Sequence, residues 1–325
     1  MTWLRKLRLD PYLLMMIGTV ALASVLPARG MAAEGVGLVA KLGIALLFFL
    51  HGARLSRKAM LAGLAHWRLH LTILAITFLA FPLIGLSFKL IPPSVLPEPL
   101  VLGLLFLCCL PSTVQSSIGF TSIARGNIAA ALCSASASNL LGMALTPILA
   151  GLILHTQGGF SLDQLEAIGL QLLAPFIAGQ VLQPWIGAWV EKNKRILGFV
   201  DRGSILLVVY AAFGEAVVEG VWSRVSALEL LIVGVLCAIL LALALAGSRT
   251  AARAMGFNKE DEIAVVFCGT KKSIVTGVPM AAILFPAATA GVVILPVMLF
   301  HQMQLMACAV IAQRYAARDK TSSAV

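Results

Sequence analysis

Two adjacent lysines inside a long apolar stretch are the residues of this sequence best suited to chemistry. Lys271 and Lys272 belong to "VVFCGTKKSIVTGVP", which runs from Val265 to Pro279. A charged side chain at the centre of a bilayer costs about 2.5–3.5 kcal/mol on insertion scales, and such residues are functional by default. The pair therefore predicts an ion-binding or substrate-binding site within a membrane.

The composition supports a membrane setting for these lysines. Of the 325 residues, 60% are hydrophobic and 12% are charged, and the mean hydropathy is +0.98. Soluble domains carry about 25% charged residues. We therefore expect an all-α polytopic membrane protein whose surroundings are the lipid bilayer. The six cysteines form no C-x-x-C pair, and no nucleophile–base pair or metal cluster is evident, so we expect no enzyme activity, no metal and no cofactor.

Ten apolar runs are long enough to cross the hydrocarbon core, which is about 30 Å thick. Each is predicted to be a helix, because lipid offers the backbone no hydrogen-bond partner. Of the 24 lysines and arginines, 18 fall in one set of connections and 3 in the opposite set. This bias predicts an inner (plasma) membrane protein with both termini cytoplasmic, and explains the positive charge without nucleic acid. The predicted spans are 12–28, 37–52, 70–91, 99–122, 128–154, 165–186, 203–218, 226–246, 261–285 and 288–313.

Corresponding features recur about 155 residues apart, which predicts two five-span halves, 1–158 and 159–325. Because five is odd, the second half enters the membrane from the opposite side, as in many secondary transporters. The N-terminus also resembles a cleaved secretory signal, but the repeat needs the first span.

Polar residues interrupt the fourth and ninth spans at matching places, near Pro111 and near Gly269. Such interruptions at corresponding positions of two halves indicate a binding site at the membrane midplane. Where the helices open, free N–H groups attract an anion and free carbonyl groups attract a cation. The alternative is two ordinary kinked helices whose hydroxyl groups bond back to their own carbonyls.

The segments "LCCLPSTVQSSIGFTSIARGNIAAALCSASASNLLGMALTP" and "GTKKSIVTGVP" resemble the bile acid:sodium symporter family, in its SBF-like branch. The resemblance covers roughly residues 10–315 and is most specific at "ARGN" (124–127), at Thr146–Pro147 and at the lysine–serine pair. It implies ten helices in two inverted repeats, with a panel domain (spans 1, 2, 6 and 7) and a core domain (spans 3, 4, 5, 8, 9 and 10). The broken helices, spans 4 and 9, are then expected to cross.

The sequence departs from the sodium-coupled members, which carry an acidic residue in the second broken helix. Here the matching stretch is "FCGTKKS", and the nearest carboxylates are Glu260, Asp261 and Glu262. Sodium needs several oxygen ligands and preferably a negative charge, whereas an ammonium repels it. Hydroxyl and amide oxygens are available at Ser116, Ser117, Ser134, Ser138 and Asn139, but they do not complete a sodium site.

Three interpretations of the lysines remain open. A lysine ammonium can take the place of the missing cation, with its protonation coupled to transport. A lysine can instead contribute to an anionic-substrate site, or both can be solvated in a water-filled vestibule. Lys272, which precedes Ser273, is the first choice. The candidate substrate- or ion-binding residues are Lys272, Lys271, Ser273, Thr270, Ser116, Ser117, Thr113, Gln115, Ser134, Ser138, Asn139, His301 and Gln302.

We accordingly expect a secondary active transporter that works by alternating access and moves a small molecule, most simply a small organic anion. The lysine in place of a sodium site predicts sodium-independent or proton-linked transport. The alternative is a membrane regulatory protein, for example of ion homeostasis, that binds an ion or lipid without transporting it. The sequence does not predict the oligomeric state.

Overall fold

The computed structural model describes residues 11–54, 66–154, 169–220 and 225–317, and these residues form helices and no strand. The helices are α1 (Pro11–Val25), α2 (Met31–Arg54), α3 (Trp67–Leu90), α4 (Glu98–Cys109), α5 (Gln115–Ile123), α6 (Ile128–Leu154), α7 (Ala174–Lys192), α8 (Lys194–Val218), α9 (Ala227–Ala254), α10 (Lys259–Gly269), α11 (Ile274–Leu284) and α12 (Ala287–Ala317). A π-helical turn, Gly169–Leu173, leads directly into α7.

Within the described ranges, seven segments are long and apolar enough to cross a membrane. They are α2, α3, α6, α8, α9, the α10–α11 segment and α12, while α1 and α4 are shorter apolar helices. The prediction of an all-α polytopic membrane protein is confirmed. The predicted boundary between the two halves, at residue 158, lies outside the described residues.

Several helices extend beyond the predicted spans, and α8 and α9 do so by eight residues or more. Helix α8 begins at Lys194, although the apolar run was expected to begin at 203. Helix α9 continues to Ala254, beyond the predicted end at 246. Hydropathy detects only the part of a helix that suits lipid, whereas backbone hydrogen bonds continue into polar sequence at either end.

The chain divides into two compact units, the first made of residues 1–56, 155–227 and 277–295. In this unit α2 packs along α7 and α8, and α1 packs on α8. Helices α2 and α7 approach closely: a Cβ atom added at Gly52 would overlap the carbonyl oxygen of Phe176, and one at Gly179 would overlap that of Phe49. Glycine at such a crossing lets backbones approach within a membrane, where packing drives helix association.

The second unit is made of residues 57–154, 228–276 and 296–325, and it contains both polar clusters. Helix α10 lies in its interior, with residues 261–269 all buried. One apolar cluster packs α10 against α3 and α6, where the small side chains Ala130, Ala131 and Ala135 face Leu69 and Ile73. The other packs α10 against α12. These contacts fix α10, and therefore the lysines that follow it, relative to three other helices.

Candidate functional site at two interrupted helices

The helix is interrupted at both predicted places, and the two interruptions are in contact. Helix α4 ends at Cys109 and α5 begins at Gln115, while α10 ends at Gly269 and α11 begins at Ile274. Leu110 is extended because it precedes Pro111. The Ser273 N–H donates to the Pro111 carbonyl at 2.8 Å.

The end of α4 leaves carbonyl groups without donors from its own helix, as every helix end does. Thr146 Oγ1 donates to the Cys109 carbonyl at 2.8 Å. The carbonyls of Cys108 and Leu110, on either side, accept hydrogen bonds from Lys272. A single lysine thus satisfies two of the free acceptors at this helix end.

A third free carbonyl comes from a π-helical turn within α3. At this turn, Ile76–Ala80, the N–H of Phe81 donates to Ile76, five residues back. The next residue, Pro82, has no N–H group. The carbonyl of Thr77 therefore has no donor from its own helix, and it accepts from Lys272 instead.

The ammonium group of Lys272 lies at the point where these three carbonyls converge. Its Nζ atom donates to Thr77 O at 2.9 Å, Cys108 O at 2.9 Å and Leu110 O at 2.7 Å. The residue is 1% exposed, and Nζ lies 4.1 Å from the centroid of the Phe81 ring. An ammonium has three donors and no acceptor, so three carbonyl acceptors match it fully. The negative end of the α4 dipole also favours a cation here.

The main chain of Lys272 is held by one side chain of α12. Gln304 accepts from the Lys272 N–H at 2.8 Å through Oε1 and donates to its carbonyl at 2.9 Å through Nε2. The second hydrogen on that Nε2 is directed at His301 Nδ1, 2.9 Å away, which places the imidazole proton on His301 Nε2. His301 Nδ1 is 3.5 Å from the Lys272 carbonyl. The interrupted segment is therefore clamped at the lysine itself.

Serine side chains join the two interrupted helices by occupying free backbone groups. Ser112 Oγ donates to the Cys268 carbonyl at 2.6 Å, and Ser117 Oγ donates to the Phe267 carbonyl at 3.0 Å. The hydroxyl of Ser138 on α6 accepts from the Ser112 N–H at 3.0 Å. The alternative of simple kinks, in which hydroxyls bond back to their own helix, does not describe these serines.

Lys271 has a very different environment from its neighbour. It is 0% exposed, and its Nζ has no hydrogen-bond partner among the described residues. The Nζ atom lies 3.8 Å from the ring centroid of Phe120 and 5.8 Å from that of Phe267. A desolvated cation–π contact contributes about 2 kcal/mol, whereas burying an ion costs several kcal/mol. The rings therefore offset only part of the cost of an ammonium at this position.

The burial of both lysines does not support the interpretation that they are solvated in a vestibule. Nor is Lys272 available to an anion in this conformation, because all three of its N–H bonds point to protein carbonyls. The interpretation of an ammonium in a cation position stays a prediction, and the three carbonyl acceptors around Lys272 Nζ support it.

Two further candidates, Ser273 and Asn139, cap or brace the start of α11, and a third, Thr270, bonds back at the end of α10. Ser273 Oγ accepts from the Thr276 N–H at 3.2 Å, which satisfies a free donor at the helix N-terminus. Thr276 Oγ1 donates to Asn139 Oδ1 at 2.8 Å. Thr270 Oγ1 bonds back to the Val266 carbonyl at 2.6 Å. These bonds are structural in this conformation.

The remaining candidates lie apart from the lysines' polar contacts. Thr113 and Ser116 pair at 2.6 Å through their hydroxyls. Ser134 Oγ is 2.6 Å from His70 Nδ1 on α3. The Gln115 side chain is exposed, whereas the amide oxygen of Gln302 is buried without a partner.

The residues present do not fit a metal ion at this position. The point where the three carbonyls converge is filled by the Lys272 Nζ atom. Across the described part of the chain, no three His, Cys, Asp or Glu side chains are grouped so that they could hold a metal.

The acidic residues that precede the lysines serve to anchor α10. The Asn127 N–H donates to the Glu260 carbonyl at 3.0 Å, and its side-chain amide donates to Asp261 at 2.8 Å. Glu262 accepts from Lys259 Nζ at 2.5 Å and from Tyr315 at 2.9 Å. The "ARGN" turn thus fastens the α5–α6 connection to the start of α10, and the carboxylates of Asp261 and Glu262 are already paired.

Sequence reasoning missed several groups that build the site. The Thr77 carbonyl was not foreseen, because in a regular α-helix Pro82 frees the carbonyl four residues back, and only the π-helical turn frees the one five residues back. Thr146 was noted only as part of the Thr–Pro pair, and its bond to Cys109 depends on the fold. Gln304 has a larger role than Gln302, which lies on the same helix.

Together these features describe a multi-pass helical membrane protein in which two interrupted helices meet, an arrangement typical of secondary transporters. The SBF-like CPA transporter family matches residues 10–317. The chain belongs to this family, and membership of a transporter family fits the expectation that it is not an enzyme.

Relatives extend from bacteria to vertebrates. The chain is 58% identical to "Uncharacterized protein PA2026" of Pseudomonas aeruginosa, with 97% of this chain and 95% of the relative covered. It is 52% identical to "Putative symporter YfeH" of Escherichia coli, over 94% and 93% of the two chains. It is 28% identical to "Sodium/bile acid cotransporter 7" of Rattus norvegicus, over 82% and 80%.

Proposed function

We propose that this protein is a secondary active transporter of a small organic anion that works by alternating access without sodium. Its cation position is occupied by the ammonium of Lys272, and energy coupling, where present, comes from protons. The observation that carries the proposal is the set of three carbonyl oxygens within 2.9 Å of Lys272 Nζ. Backbone carbonyls at opened helices are what transporters use to coordinate a coupling cation.

A fixed ammonium removes the need for a metal ion. Three elements, α3, the end of α4 and the segment before α11, are joined by the hydrogen bonds of the Lys272 ammonium. A bound sodium would assemble such a unit only when present, whereas a covalently attached cation assembles it permanently. This difference supports sodium-independent transport.

The substrate class comes from the family rather than from the lysines. A relative 28% identical is named a sodium/bile acid cotransporter, and a bile acid is an organic anion. Because every N–H of Lys272 is used within the protein, the anion must be recognised by other groups. Asn139 and Ser116, both partly exposed, are the proposed polar contacts.

The proposed architecture is ten spans in two inverted halves, with a panel and a core, in the inner membrane with cytoplasmic termini. The two helix interruptions, at 110–114 and 270–273, support corresponding positions in the two halves. The distribution of 18 lysines and arginines against 3 supports the orientation.

The proposal can be tested by flux into liposomes that contain the purified protein. Uptake of a radiolabelled bile acid and of a panel of small carboxylates is measured under a sodium gradient, a proton gradient or neither. We expect uptake that does not depend on sodium. Lys272→Ala abolishes it, whereas Lys41→Ala, which removes an exposed lysine on α2, leaves it unchanged.

Uptake driven by the sodium gradient, or normal uptake by folded Lys272→Ala protein, would contradict the proposal. If folded wild-type protein moves no anion of the panel under any gradient, transport itself is contradicted. That last result would favour the alternative of a membrane protein that binds an ion or lipid without moving it.

A further inference from the structure

The two adjacent lysines differ in what their nitrogen atoms contact, and the contacts determine which protonation state each environment can accept. Lys272 Nζ has three carbonyl oxygens at 2.7–2.9 Å. Lys271 is fully buried, and within the part of the chain that the structure describes its Nζ has no hydrogen-bond partner. Neither lysine forms an ion pair with a carboxylate of the described residues.

The Lys272 site requires the charged form. A neutral amine has two N–H donors and a lone pair. With three acceptor-only carbonyls around it, the lone pair would face a carbonyl oxygen. Only an ammonium gives each carbonyl a donor, so the charge of Lys272 is fixed as long as these contacts persist.

The Lys271 site has the opposite chemistry. An ammonium there would bury three N–H donors with no oxygen acceptor, and unpaired buried charge is strongly unfavourable. The groups around it are the ring of Phe120 on α5, Phe267 and Cys268 on α10, and Cys308 on α12. Among the described residues, the thiols of Cys268 and Cys308 interact with it electrostatically, and Tyr315 of α12 packs on the far ring, Phe267. Neither thiol is a strong acceptor.

We propose that Lys271 is the proton-exchanging group of this protein: it is a neutral amine in this conformation and becomes an ammonium in one that brings water to its Nζ. The inference rests on the proposed function, since it assigns the proton linkage of that site to one side chain. The proton comes from water on one side of the membrane, binds the amine lone pair and is released to water on the other side. Lys272 keeps its proton throughout.

The protonation states can be observed directly in the full-length protein. Lysine labelled with ¹³C at Cε and ¹⁵N at Nζ is incorporated, and the protein is placed in phosphatidylethanolamine–phosphatidylglycerol vesicles. Magnetic resonance spectra then separate amine from ammonium nitrogen. We expect one neutral-amine signal near neutral pH, which is lost in Lys271→Met, retained in Lys272→Met and converted to an ammonium signal as the pH falls.

Spectra in which every lysine is an ammonium across the neutral and mildly alkaline range would overturn the inference. So would an amine signal that disappears in Lys272→Met and persists in Lys271→Met. Flux measurements provide an independent readout that does not require either variant to give a clean spectrum. We expect Lys271→Met to lose the response to a proton gradient, and an unchanged response would overturn the inference.

Different results would contradict the role of Lys271 and the proposed sodium-independent transport. Absence of a neutral amine in wild-type protein contradicts the role of Lys271 alone. Sodium-driven flux contradicts the proposed function, whatever the signal of Lys271.

Discussion

Two identical side chains at consecutive positions have contrasting surroundings. The sequence could identify the lysine pair as unusual, because charge within an apolar run is rare. It could not identify the groups that surround each lysine, since the three carbonyls that contact Lys272 belong to residues far from Lys272 in the sequence. The preference for Lys272 over Lys271 as the group at the meeting point of the helices matches the contacts.

Gln304 should contribute more to stability than Gln302, its neighbour on α12. Gln304→Ala removes the hydrogen bonds that Gln304 makes to both the N–H and the carbonyl of Lys272. Each buried group left unpaired costs about 1–3 kcal/mol, so we expect a loss of about 2 kcal/mol or more. Thermal unfolding in detergent measures the loss.

Gln302→Ala is the matched control. Its amide oxygen is buried without a partner, so its removal breaks no bond at that atom. We expect little change in melting temperature. Equal losses in the two variants would show that the clamp on Lys272 does not contribute to stability.

The interrupted helices are the elements that sequence patterns predicted best. Pro111 and Gly269 correctly indicated where the helix ends. The π-helical turn in α3 was not predicted. This turn determines which carbonyl Pro82 leaves without a donor, and here it is the carbonyl of Thr77. Ser117 and Ser138 were expected to offer oxygens to an ion, but they bond backbone groups of the interrupted helices, which only the packing of the helices reveals.

The packing of α6 on the first interruption predicts a strong effect of Gly142→Ala. A Cβ atom there would lie 2.5 Å from Pro111 Cβ, and the proline ring is rigid. Overpacking of this kind costs about 1–3 kcal/mol. We expect a lower melting temperature and reduced uptake in liposomes.

Gly119→Ala provides the control for glycine replacement in a neighbouring helix. No atom lies within 4 Å of the added Cβ, so the change should be neutral or stabilising, by up to about 1 kcal/mol. If Gly142→Ala were as stable as Gly119→Ala, the interruption would not be held by this contact.

At the scale of the whole molecule, composition was sufficient to predict a polytopic helical membrane protein, and the described residues and the family confirm it. The extents of α8 and α9 were underestimated because the first residues of α8 and the last residues of α9 are polar. Orientation is a matter of charge bias and remains a prediction.

The charge bias predicts that the C-terminus faces the cytoplasm. A green fluorescent protein fused there should be fluorescent, and alkaline phosphatase fused at the same place should be inactive. The reverse pattern would contradict the assignment and would invert every span. A fusion in the connection that contains Lys89 should give the opposite result to the C-terminal one.

The central claim, that the Lys272 ammonium occupies the place of a metal cation, is tested most directly by melting temperatures of wild type and Lys272→Ala. Alanine retains Cβ, so the missing group is propylammonium, and three carbonyls lose their donor at a cost of about 3 kcal/mol or more. We compare chlorides of sodium, potassium, propylammonium and tetramethylammonium at equal ionic strength. The account predicts that none of the four salts selectively raises the melting temperature of wild type. Lys272→Ala should melt at a lower temperature than wild type. Propylammonium should restore its melting temperature, whereas tetramethylammonium, which has no N–H, should not. A sodium-specific rise in wild type, or a Lys272→Ala protein as stable as wild type, would contradict it.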